Sequence, residues 1–388
     1  MKETPSHHES PRSRGKIRIF RLAAVALGCL IGLGAAELVL RSRDGRIRKS
    51  DQWDPGLAMY DPELSWTLTP NWSGRHRNCD FDVRYAINSR GFRQDHVLRE
   101  PKAVKRVAVV GDSFTFGLGV KDDETFVHLL NDRFQGSMEF INCAVPGYST
   151  DQEALLIERK VLSYEPEVVL LVVYLGNDLL DNLYGFPIQV NVAKPYFVLE
   201  PDGLRLMNTP VPQTRKSVVD ERLDLTTAVL GEGYQQSTLL RRWGQQSALI
   251  RLVSENLIAE PDHQREFEKR FTPAVALFSK IIDRIAESCQ RQKARFTLVL
   301  LGGRSFVEEP NSISAQYQEY FRQSILTDAG RKRIPAIDLS GLIRERYRTS
   351  SEKLYHPNDG HLNALGHRMA GEILSSEILS PNVDLGLP

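Results

Sequence analysis

Cysteine is scarce in this chain, with four residues in 388, and Cys29, Cys79, Cys143 and Cys289 stand far apart. That spacing excludes a disulfide framework and a paired-cysteine metal site. A cysteine nucleophile is not indicated, because Cys143 lies in an apolar strand-like run and Cys289 on a helical one, where a buried inert thiol is the default. Excess charge is missing too. Fifty basic and forty-nine acidic residues leave a net charge of +1, so nothing points to nucleic acid or to a polyanionic substrate. His7, His8 and His128 show no ligand spacing, and neither a metal nor another cofactor is expected. Internal repeats are lacking, and low complexity is confined to a short tail around Ser6 to Arg14. What is present is 41% hydrophobic and 8% aromatic residues, enough to bury a sizeable core in one large or two ordinary domains.

Charge becomes informative locally. Arg12, Arg14, Lys16, Arg18 and Arg21 precede Leu22 to Ala36, a run without a charged residue, and a basic stretch followed by an apolar one is an export signal. Leu38, Val39 and Leu40 extend the run past Glu37 to nineteen residues, close to the ~20 that span a bilayer as a helix. Ala35-Ala36 also make a tolerable small-residue cleavage site. A retained anchor and a removed signal peptide both stay open, with the rest of the chain outside the cytoplasmic membrane or secreted. Arg41, Arg43, Arg46, Arg48 and Lys49 balance the five basic residues on the near side, so the positive-inside rule does not choose the orientation. A buried amphipathic helix is disfavoured by Gly28, Gly32 and Gly34 and by the lack of a polar face.

Residues 51–104 are rich in turns, with Asp54-Pro55-Gly56, Asp61-Pro62, Thr69-Pro70-Asn71 and Ser89-Arg90-Gly91 between short aromatic-containing runs, and short strands or loops are expected there. From residue 105 onwards apolar strands alternate with amphipathic helices. Strands are expected at Arg106 to Val110, Met138 to Val145, Glu167 to Leu175, Phe296 to Leu301 and Ile334 to Leu339. Helices are expected at Glu124 to Arg133, Thr150 to Leu162, Tyr317 to Ala329 and Leu362 to Leu379. Near-continuous apolar strands such as Val168-Val169-Leu170-Leu171-Val172-Val173 predict a parallel sheet covered on both faces. The alternation breaks over residues 185–294, an insertion with no core-type strand. Its second half reads as two helices, Gln235 to Leu257 and Gln264 to Gln292, and its first half, including Pro195-Tyr196-Phe197, as a lid or partner surface.

Ligands of such sheets bind beyond the carboxyl ends of the strands, so the residues just after each strand matter most. Gly111-Asp112-Ser113 follows the first, Val145-Pro146-Gly147-Tyr148-Ser149-Thr150 the second, Gly176-Asn177-Asp178 the third, and Asn358-Asp359-Gly360-His361-Leu362-Asn363 precedes the terminal helix. A Ser hydroxyl becomes a nucleophile when a neighbouring imidazole removes its proton, and uncharged N–H donors can stabilise the oxyanion that results. Asp112 and Asp178 read as turn-holding side chains, and Asn363 as a helix cap.

In order and placement these four blocks resemble the SGNH, or GDSL-type, hydrolase superfamily over roughly residues 105–378. The resemblance implies a flavodoxin-like three-layer α/β/α fold, Ser113 as nucleophile and His361 as general base. It implies further an oxyanion hole made of the Ser113 N–H, the Gly147 N–H and the Asn177 amide. One position departs from the family pattern: Asn358 stands three residues before His361, where the family usually has Asp. Because a carboxylate stabilises an imidazolium and an amide does not, Asp359 is expected to orient His361, with Asn358 as the other option. His356 is the one rival base, and His367 is expected to be structural or at the surface. Three activities follow: an esterase acting on an O-acyl or O-acetyl group of a carbohydrate or envelope component, an O-acyltransferase using the same apparatus on a polysaccharide, or a non-catalytic carbohydrate-binding domain of the same fold.

Overall fold

The computed structural model describes residues 11–94, 102–215, 247–257, 263–350 and 352–379, together with positions 229 and 243. The chain divides into two compact units, one of Met1–Lys49 with Gly233–Ala259 and one of Ser50–Glu232 with Glu260–Pro388.

In the first unit a single helix runs Pro11–Ser50, and its stretch Lys16–Asp44 is long and apolar enough to cross a membrane. None of that stretch is buried in protein. The one carboxylate inside the apolar run has partners: Glu37 accepts from Ser247 Oγ at 2.8 Å, Ala248 N–H at 3.0 Å and Leu249 N–H at 2.8 Å. It thereby satisfies backbone donors left open where the helix Ala248–Leu257 begins. The earlier part of the helix expected from Gln235 falls mostly outside the described residues.

The second unit is built on a five-stranded parallel sheet of β1 (Lys105–Val110), β2 (Met138–Asn142), β3 (Val168–Tyr174), β4 (Arg295–Leu301) and β5 (Ala336–Ile337). Its strands lie in the order β5-β4-β3-β1-β2, which in chain order is the 2-1-3-4-5 arrangement of flavodoxin-like sheets. Alternate residues serve opposite layers. Val107, Val109, Val168, Leu170 and Val172 join one core with Phe126, Leu130, Ile343 and Ile373 from the helices Phe126–Arg133, Leu339–Tyr347 and Ala364–Ile378. On the other side the helix Gln264–Arg291 packs against Thr150–Arg159 and Ile313–Lys332. β5 is shorter than the expected Ile334 to Leu339, because Asp338 leaves the sheet to cap the next helix, accepting from Gly341 N–H at 3.0 Å.

The insertion and the residues before the sheet add strands outside it. Tyr196–Glu200 and Gly203–Met207 form an antiparallel hairpin, a two-stranded sheet of its own within the stretch expected to hold no core-type strand. Phe197 turns inward and is fully buried, so the hairpin has a packed side rather than being wholly a free lid. The strands at Gln52–Trp53, Ser73–Arg77 and Asp82–Ala86 form a small antiparallel sheet, and Ala58–Asp61 pairs with Ser65–Leu68. Together they bring residues 52–86 to the carboxyl-end side of the large sheet, where Asn78 and Trp66 reach the loops at 359 and 146.

Candidate active site

Ser113 stands where β1 gives way to the helix Ser113–Phe116. The chain can turn there because position 111 has no side chain: a Cβ would meet Thr115 Oγ1 at 2.3 Å and the Val172 carbonyl at 3.1 Å. Asp112 caps the short helix, its carboxylate accepting from Phe114 N–H at 2.9 Å. From the end of β2, Asn142 donates to the Thr115 carbonyl at 3.1 Å. The Ser113 hydroxyl is left half-buried on a firmly held turn.

Opposite it lies the loop before the terminal helix. Asn363 caps that helix, accepting from Gly366 N–H at 3.0 Å, and the Phe114 ring packs 4.5 Å from the His361 ring. His361 Nε2 lies 2.7 Å from Ser113 Oγ, and its Nδ1 lies 2.5 Å from Asp359 Oδ1. With Asp359 ionised, Nδ1 carries the proton and donates it, leaving Nε2 to accept from the Ser113 hydroxyl. Burial acts to raise the Asp359 carboxyl, but the hydrogen bonds and charge of His361 outweigh it and hold Asp359 below its ordinary value.

Asn358 does not face His361. Its N–H and side-chain amide both donate to Asp80, at 2.7 and 2.6 Å, and Asp80 accepts the Asp359 N–H as well, at 2.8 Å. Asn78 donates to the second oxygen of Asp359 at 3.2 Å. A turn in residues 78–81, fastened by Asn78 Oδ1 accepting from Asp80 and Phe81 N–H, thus positions the carboxylate.

His356 is kept away from Ser113. Its backbone N–H donates to the His361 carbonyl at 2.8 Å, its ring Nε2 is buried without a partner, and burial lowers its proton affinity. His367 is fully buried, accepts the Phe126 N–H at 3.3 Å, and is pushed by burial down to about 3, as befits a structural residue.

Ser113, Gly147, Asn177, Asp359 and His361 line one cavity of about 190 Å³, together with Pro187, Gln189 and Val190 from the insertion. Asn177 donates one amide hydrogen to Asp181 at 2.6 Å, leaving the second free. Asp181 also accepts the Ile188 N–H at 2.7 Å, and burial pushes it up to about 6. Asp178 accepts the Tyr174 N–H at 2.7 Å, in keeping with a turn-holding role. Beneath the site Asp112, Glu153 and Asp178 are all raised by burial, and neither oxygen of Glu153 has a hydrogen-bond partner. Beyond Val190 and Pro146 a wider cleft of about 540 Å³ opens, walled by Met59, Tyr60, Trp66 and Val192 with Arg215 among its lining.

The sequence reading did not single out Trp66, Asn78, Asp80 or Asp181. Asp181 carried a usable signal, its i,i+4 spacing from Asn177 on a helical turn. The other three act across long separations and carried none.

A flavodoxin-like parallel sheet layered between helices, with a Ser–His–Asp contact at its carboxyl edge, defines an α/β/α protein. The sequence profile of the GDSL-like Lipase/Acylhydrolase family matches residues 109–369, and the chain belongs to that family. Solved structures similar to it include a catalytic mutant of an acetylxylan esterase from Geobacillus stearothermophilus, 9% identical with a TM-score of 0.41, covering 72% of this chain and 96% of that one. The lipase/acylhydrolase from Enterococcus faecalis is 12% identical with a TM-score of 0.38, covering 71% and 95%. A member of the lipolytic protein G-D-S-L family from Veillonella parvula DSM 2008 is 11% identical with a TM-score of 0.39, covering 71% and 97%. No curated protein matches the sequence.

Proposed function

We propose that the chain is a serine esterase that removes a short O-acyl group, such as acetyl, from a carbohydrate or envelope component. The observation that carries this reading is the continuous contact from Ser113 Oγ through both ring nitrogens of His361 to Asp359. Ser113 Oγ attacks the ester carbonyl as its proton passes to His361 Nε2. The oxyanion that forms takes hydrogen bonds from Ser113 N–H, Gly147 N–H and the free Asn177 amide hydrogen. Collapse expels the alcohol, which takes the proton from His361, and leaves Ser113 acylated. Water then attacks the acyl carbonyl as its proton passes to His361 Nε2, and collapse of this second tetrahedral intermediate breaks the Ser113 Oγ–acyl bond, with His361 returning the proton to Oγ and the acid departing. The small cavity supports a short acyl group, and the aromatic walls of the adjoining cleft suit the apolar faces of sugar rings.

Residues 105–388 would form the catalytic domain, with 51–104 packed on it and 1–50 either anchoring it to a membrane on the extracytoplasmic side or directing its secretion. A second reading, acyl transfer to a carbohydrate hydroxyl, is favoured by the insertion residues Pro187, Gln189 and Val190 at the cavity, where an acceptor would exclude water. A fluorophosphonate should label the purified protein on Ser113 and fail on Ser113→Ala. Absence of labelling on the folded wild type would instead favour the non-catalytic binding domain. Mass analysis of an activated acetyl ester incubated with and without oligosaccharides separates hydrolysis from transfer.

A further inference from the structure

Gly147 can serve an oxyanion only if its N–H faces the cavity, and the geometry around it shows what sets that direction. The segment Val145–Tyr148 is a tight turn closed by Tyr148 N–H donating to the Val145 carbonyl at 3.2 Å. Pro146 fixes its own φ near −65°, and Gly147 has φ of 81°, so the turn is type II. In that type the central peptide is turned over relative to type I. That peptide consists of the Pro146 carbonyl and the Gly147 N–H, which point in opposite directions because the unit is planar and trans. Whatever holds the carbonyl therefore aims the N–H.

The holder is Trp66. Its indole Nε1 donates to the Pro146 carbonyl at 3.0 Å, so the Gly147 N–H is directed away from the indole. Gly147 lines the Ser113 cavity, and its N–H has no partner among the described residues. Trp66 is itself pinned, since the Tyr148 hydroxyl donates to its carbonyl and the Tyr148 ring meets it edge-on at 5.4 Å. Crowding closes the turn further: a Cβ on Gly147 would meet Val190 Cγ2 at 2.8 Å and Trp66 Cζ2 at 3.3 Å. A hydrogen bond accepted by the carbonyl also polarises the same peptide, making its N–H a stronger donor.

We propose that Trp66 is a positioning residue of the oxyanion hole, holding the Pro146–Gly147 peptide so that the Gly147 N–H faces the acyl oxygen. Trp66 lies outside the 109–369 stretch that carries the family match, on the strand Ser65–Leu68, so the segment ahead of the hydrolase core supplies part of its electrostatics. The inference rests on the serine mechanism proposed above and extends it.

The test compares the wild type with Trp66→Phe, which keeps an aromatic ring and removes the N–H, on p-nitrophenyl acetate and on a boronic acid that forms a tetrahedral adduct with the serine. Outright loss of an oxyanion donor costs about 10²–10³ in kcat. Freeing one peptide to turn over should cost less, about 10- to 100-fold. We expect kcat to fall by that factor with KM unchanged, and boronate affinity to fall in parallel. A merely structural role would lower the melting temperature and leave boronate affinity alone. If Trp66→Phe does not fold, benzothienylalanine at position 66, with the ring shape of tryptophan and no N–H, makes the same comparison. A folded variant with unchanged kcat and boronate affinity overturns the inference while Ser113→Ala stays inactive. Turnover that survives in Ser113→Ala overturns the serine mechanism itself and this inference with it.

Discussion

Replacing Asp359 by Asn separates two things a carboxylate does for a histidine: selecting its tautomer and stabilising its charge. Two donors address Asp359 Oδ1, His361 Nδ1–H at 2.5 Å and the His361 backbone N–H at 3.3 Å, whereas among the described residues Asn78 alone addresses Oδ2, at 3.2 Å. The amide oxygen of an asparagine should take the doubly addressed position, leaving its NH₂ towards the Asn78 amide donor, which loses its acceptor and must turn aside. The productive tautomer then survives, and what is lost, besides the weak contact to Asn78, is attraction between carboxylate and imidazolium. Charge centres about 4 Å apart interact by about 4 kcal/mol in the effective dielectric of a protein surface. The two side chains retain 16% and 18% exposure, which discounts the loss to roughly 2–4 kcal/mol, or ~30- to 1000-fold in kcat. A tautomer swap of the kind seen in a protease triad costs more, about 10⁴. Initial rates with p-nitrophenyl acetate test this. The reasoning fails if Asp359→Asn stays within threefold of wild type, or if Asn358→Ala, which should lose only contacts to Asp80, is as damaging.

Two further outcomes follow from the same geometry. Asn177→Ala should lower kcat by about 100-fold or more, on the order of 3 kcal/mol in the barrier, and near-normal turnover would remove Asn177 from the oxyanion hole. Glu153→Gln addresses stability: burial, with the nearby Asp112 and Asp151 charges, raises the Glu153 carboxyl well above its ordinary 4.5. Because the folded state then holds a proton that the unfolded chain has released, this group's contribution is intact below about pH 4.5 and is lost as pH rises towards the folded-state value. Glutamine abolishes that dependence, so relative to wild type its melting temperature should be higher at pH 8 than at pH 4.5. A variant that loses more stability at pH 8 than at pH 4.5 contradicts the assignment.

The parts of this site legible in the sequence are those whose cause is local. Ser113, Gly147, Asn177 and His361 each follow a strand or precede a helix within a few residues, and the sheet order alone brings those ends together. The choice of Asp359 over Asn358 rests on charge alone, and Asp359 Oδ1 lies 2.5 Å from His361 Nδ1. The hairpin at 196–207 had a local cause as well, since Pro201-Asp202-Gly203 is turn chemistry between apolar runs. The buried acids were hidden for a different reason. Thr150–Arg159 reads as amphipathic, but it packs against Gln264–Arg291 and every residue from Thr150 to Ile157 is buried, so Glu153 faces protein where the pattern alone leaves it facing water. Least legible were Trp66, Asn78 and Asp80, which act over 80 to 281 residues of chain. Their sequence context marks only turns and short strands, yet one aims a peptide and the other two place a carboxylate. The candidate groups beyond the strand ends are thus specified by the core, while their orientation is set from outside it, by a segment with no strand in the large sheet.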